Sequence, residues 1–92
     1  MSVQITITNE WQSLSSLSGF PVGTQVKLQN KGNVFATMIE STTQPAADFK
    51  EGEYITSVRE AEPSKVIPTG SGEIWLRVTN DLYRTELFVQ EV

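Results

Sequence analysis

The sequence predicts an all-β domain, a small antiparallel sandwich or barrel of six or seven short strands. Three observations predict it. Apolar and polar residues alternate with the period of two that a half-buried strand requires, most cleanly in VQITIT at 3–8 and GEIWLRVT at 72–79. The alternating runs are rich in Val, Ile, Thr and aromatic residues, which pack well on a pleated surface. Gly, Pro, Asn and Asp punctuate them at close intervals. With 92 residues, of which 38% are hydrophobic, the chain reads as one domain, 1–92, with a modest core. No internal repeat, low-complexity segment or linker interrupts it.

In chain order, Val3, Ile5 and Ile7 alternate with Gln4, Thr6 and Thr8 and give a first strand. NEWQSLSSLSG follows. Asn9 with Gln12 three residues on resembles a capping box, and Trp11, Leu14 and Leu17 recur every third residue, so a short helical turn is predicted here. Phe20-Pro21-Val22-Gly23 predicts a turn with proline second. TQVKLQN places Val26 and Leu28 inward, with Gln25, Lys27 and Gln29 outward. Lys31-Gly32 between two strand-like runs predicts a hairpin. In NVFATMIE, Val34, Ala36 and Met38 share one face, and Phe35, Thr37 and Ile39 the other. Apolar residues on both faces predict a central strand or one at a subunit contact.

STTQPAADFKEGE is a long polar stretch with turns at Pro45 and Gly52. EYITSV resumes strand composition through Tyr54, Ile55 and Val58, and KVI is a short strand closed by the loop PTGSG. In GEIWLRVT, the aliphatic stripe Ile74, Leu76 and Val78 is predicted to face the core, which turns Trp75 and Arg77 outward. After a turn at Asn80-Asp81, LYRTELFVQEV is the last strand.

Composition removes several chemistries. There is no cysteine and no histidine, so disulfides, thiolate sites and the commonest acid–base side chain are excluded. The net charge of −4 opposes binding to a phosphate backbone, so no nucleic-acid partner is expected. The start MSVQITITNE has neither the basic nor the apolar region of a signal peptide, and no apolar run is long enough to span a membrane. The carboxylate pairs Glu51/Glu53 and Glu60/Glu62 sit in polar, turn-rich segments, which argues against an enzyme. Asp48, Glu51 and Glu53 do not match a calcium loop, so neither a metal nor another cofactor is expected.

What remains is binding. Trp and Arg dominate interface hot spots, so Trp75 and Arg77 are the leading interface candidates, with Phe35, Ile39 and Phe88 next. Trp75 under a loop of its own chain is the alternative. Trp11, Tyr54 and Tyr83 are candidates for stacking on a sugar ring, although Trp11 can equally close one end of the core. TQVKLQN and TELFVQEV are candidate edge strands, open to pairing with a neighbour.

The order of Trp11, Leu14 and Leu17, then VGTQVKLQNKG, a polar stretch with Pro45 and Gly52, IPTGSGEIWLRV and a final LFVQEV resembles small virion structural proteins of tailed bacteriophages. These are the β-sandwich or jelly-roll proteins that decorate heads or sit on tail and fibre attachment points. The resemblance covers most of the chain and is most specific from Gly23 to Gly32 and from Gly72 to Val78. It implies a non-enzymatic protein, often a homotrimer, made in the host bacterial cytoplasm before joining the virion. A capsid decoration or cementing protein that binds the major capsid protein is the leading expectation. A tail-fibre or head–tail adaptor and a receptor- or glycan-binding module are the alternatives.

Overall fold

The alternation that opens the chain becomes β1, Ser2–Ile7, in a computed structural model that describes residues 2–32, 34–49, 51–55, 64–78 and 84–92. The other described strands are β2 (Gln12–Ser13), β3 (Val26–Asn30), β4 (Ala36–Glu40), β5 (Glu53–Ile55), β6 (Ser64–Ile67), β7 (Ile74–Arg77) and β8 (Thr85–Glu91). One short helix, α1, spans Leu14–Ser18. The strands form two four-stranded sheets with antiparallel pairing, ordered β1-β8-β3-β6 and β2-β7-β4-β5. The predicted all-β sandwich is therefore the fold. Val58, Thr79, the Asn80-Asp81 turn and Tyr83 lie outside the described residues.

The core lies between the sheets. Ile5, Ile7, Val26, Leu28, Leu87 and Val89 from the first sheet meet Ala36, Met38, Ile55, Ile74 and Leu76 from the second, and Val78 just beyond β7 joins them. These are the inward positions that the period-two pattern selects, and each large aliphatic side chain buried there stabilises the fold by about 1.5–3 kcal/mol. Leu14 from α1 and Phe20 close one end.

Four local expectations are corrected. The helix is capped by Ser13 rather than by Asn9. The Ser13 hydroxyl accepts from the Ser16 N–H at 3.2 Å, and Gly19, at φ 82°, ends the helix in the left-handed conformation. Gln12 and Ser13 pair with Leu76 and Trp75, which holds them in a strand and delays the helix. The proline turn is shifted by one residue. Thr24 N–H donates to Pro21 O at 3.2 Å, so Pro21 is first and Gly23, at φ 93°, takes the third position, where a positive φ is needed.

Lys31-Gly32 does not close a hairpin, because β3 and β4 belong to different sheets. The chain crosses the sandwich there, held by the fully buried Asn30. Its Nδ2 donates to Val34 O (2.9 Å) and Ile55 O (3.2 Å), and its Oδ1 accepts from Gly32 N–H (2.9 Å) and the Thr85 hydroxyl (2.7 Å). One carboxamide, with donors and acceptor all engaged, thus ties both sheets to the crossing. A Cβ at Gly32 would collide with Thr85, so the close approach requires glycine.

The fourth correction concerns the sheet edges. TQVKLQN (β3) and TELFVQEV (β8) are the two inner strands of the first sheet, because β1 pairs with β8 along its whole length and β6 covers β3. Among the described residues, the edges are β1 and β6 in one sheet and β2 and β5 in the other.

Candidate functional site

Register builds an unusual outer face on the second sheet. Arg77 on β7, Thr37 on β4 and Tyr54 on β5 lie in one row across the strands, and Ser13, Trp75 and Ile39 in the next. Phe35 precedes β4 on the same side and packs against Tyr54. Four of the five predicted interface residues, Trp75, Arg77, Phe35 and Ile39, are therefore brought together. Phe88 is not. It faces outward from β8 on the other sheet, between Gln4 and Gln29, so it belongs to the opposite side of the sandwich.

The segment after β4, residues 41–49, roofs the part of this face around Trp75 and Arg77. Trp75 Nε1 donates to Ser41 O at 3.0 Å, Trp11 Nε1 donates to Phe49 O at 3.1 Å, and Gln44 Nε2 donates to Trp11 O at 3.0 Å. Arg77 Nη1 donates to Ala47 O at 2.7 Å and to Phe49 O at 3.2 Å. Its guanidinium lies 5.4 Å from the centroid of the Trp11 ring, within cation–π range. The rings of Trp11 and Phe49 tilt at 43° with centroids 6.2 Å apart. Trp11, Phe49 and Arg77 thus form a second, smaller packed cluster outside the main core.

This arrangement keeps Arg77 on the outer face of the sheet but covers it. The side chain points away from the core, as the alternation requires, but it is only 4% exposed because the loop covers it. Trp75 is half-buried under the same loop, the alternative weighed for it. Trp11 is also buried, at 3% exposed, so its ring offers no open face for stacking. Tyr54 is open and Tyr83 lies outside the described residues.

At the unroofed end, Phe35 is 42% and Tyr54 60% exposed, with ring centroids 4.8 Å apart at 57°. The tilted geometry is a favourable one for two aromatic rings, so each ring helps to hold the other in place. It sits at the β5 edge, and β5 is only three residues long. Below it, Lys65 Nζ reaches Glu53 Oε2 at 2.9 Å and joins the β6 and β5 edges. No sequence signal marked Tyr54 and Phe35 as a pair, since 18 residues and a loop separate them and only the β4–β5 register unites them.

At the roofed end an open cleft of about 530 Å³ runs between Glu10 and Trp11 on one side and Gln44, Pro45 and Ala47 on the other, with Arg77 among its lining. Two polar atoms of the Arg77–Thr37 row, Arg77 Nε and Thr37 Oγ1, are buried without a hydrogen-bond partner. Among the described residues, no group of three or more acidic side chains gathers as a metal-ligand set, and no helix is long and apolar enough to cross a membrane. Comparison with known proteins finds no matching family model, no matching curated protein and no matching solved structure.

Proposed function

We propose that this chain is a non-enzymatic, protein-binding β-sandwich that works as a structural subunit of a phage virion, in the role of a head decoration or cementing protein. The observation that carries the binding part is the Phe35–Tyr54 pair. Two large aromatic side chains stand exposed and in contact at a short edge strand, on the same face as Trp75 and Ile39. Rigid aromatic groups of this kind anchor interfaces because they bury much area at low entropic cost. The virion setting is supported by the sequence resemblance, and an acidic chain suits an outer shell away from packaged DNA.

Each copy would make a modest contact, and a symmetric trimer would engage several capsid subunits at once. Linked contacts of this kind gain about 10²–10⁴ over a single one. Mass spectrometry and electron microscopy of purified particles test the assignment together. The chain is expected in particles, in fixed stoichiometry with the major capsid protein and on the outer surface of the head. Its absence from particles would overturn the virion role, and density at the tail or fibre would make it an adaptor instead.

A further inference from the structure

We propose that the cleft beside Arg77 binds a carboxylate of a partner polypeptide, presented either as a free C-terminus or as an acidic side chain. The inference rests on the reading of this chain as a protein-binding module and names the chemistry that its partner brings. It concerns the roofed end of the face, so it can fail while the Phe35–Tyr54 contact stands, and the reverse.

Arg77 is a buried cation, and burying a charge is costly unless it is paired. Among the described residues no carboxylate lies within ion-pair distance of it. Its Nη1 is satisfied by two loop carbonyls, and Trp11 lies against the guanidinium, but these supply partial charges only. Arg77 Nε is left without a partner. Directly across the strand pair, at the facing position, Thr37 Oγ1 is also without one. Two unengaged donors on facing residues match the two oxygens of one carboxylate, which would add the missing opposite charge as well.

The cleft gives the route in to Arg77, and Thr37, which does not line it, is reached across the β4–β7 pair. Its outer wall is the exposed Gln44 and Ala47 with the half-buried Pro45 between them, a stretch held by hydrogen bonds and outside the main core, so a small displacement would admit a ligand without disturbing that core. Glu10 on the rim and the net charge of −4 favour a single carboxylate over a polyanion.

The chain holds two tryptophans, which makes nitrogen-15 NMR of the full-length protein a direct test. Trp11 lines the cleft and Trp75 does not. Three probes are titrated: acetyl-Gly-Gly with a free acid end, the same peptide as its amide, and acetyl-Gly-Asp-Gly-amide. Saturable movement of the Trp11 indole signal with either carboxylate peptide, none with the amide, and a still Trp75 signal support the site, and the better acid distinguishes a C-terminus from an acidic side chain. Thr37→Val keeps the shape of the side chain and removes the hydroxyl. It should weaken the carboxylate about tenfold while leaving Tm unchanged or raised, because an unengaged buried hydroxyl is lost. No carboxylate-dependent movement of Trp11, or equal movement with the amide, would overturn the proposal and leave Arg77 Nε and the Thr37 hydroxyl to an internal water.

Discussion

Truncating Asn30 would strip the crossing between the sheets of its central tie. Asn30→Ala leaves Val34 O, Ile55 O, Gly32 N–H and the Thr85 hydroxyl without the partner that now satisfies them. We expect a loss of about 3 kcal/mol, which lowers Tm by about 12–24 °C in a domain of this size. A thermal melt followed by circular dichroism checks it, and a fall of only a few degrees would show that solvent takes over these groups. Nothing local marks Asn30 as buried, because an asparagine next to Lys31-Gly32 has the composition of an ordinary turn. Its role depends on Thr85, 55 positions away, and on Ile55, 25 away. Ile74, Leu76 and Val78 were readable for the opposite reason, since period-two burial is a local property of the strand.

At the scale of elements, the loop at 41–49 decides what the second sheet shows to solvent. Its residues are mostly small, polar and exposed, yet its carbonyls collect the donors of Trp11, Trp75 and Arg77. Trp75→Phe keeps an aromatic ring over Ile39 and removes the donor to Ser41 O, so it should cost about 1 kcal/mol. Hydrogen exchange of the backbone amide of Ser41, which donates to Glu73 O, should quicken in that variant, while the amides of β3 and β8 stay protected. Unchanged exchange at Ser41 would show that the indole does not help to seat the loop. The outward direction of Trp75 and Arg77 was legible in GEIWLRVT. Their cover was not, because the carbonyls that meet Arg77 come from residues 28 and 30 positions earlier in a stretch with no periodic pattern.

Over the whole molecule, the two ends of the chain meet. β1 pairs with β8, which places the last strand inside the sheet and leaves β1 at its margin. The all-β class followed from pattern and turn spacing, but six or seven strands were expected and eight are present among the described residues, because the two-residue β2 is too short to show an alternation. Strand order did not follow from them, because pairing between the first and last strands is set by the closure of the core and not by any neighbouring residue. The same closure divides the molecule's outer surfaces. One carries Phe88 among glutamines and charged residues, and the other carries Phe35 and Tyr54 beside the roofed cluster. In the proposed function this second surface is the one that meets other protein subunits. Sedimentation velocity of the wild-type chain and of the double variant Phe35→Ser/Tyr54→Ser, over a range of concentration, tests it most directly. Self-association of the wild type that is lost in the variant, with Tm shifted by no more than a few degrees, is the predicted result. Equal association of the two proteins, or a variant that fails to fold, would contradict it, because the aromatic pair would then be idle or a part of the fold.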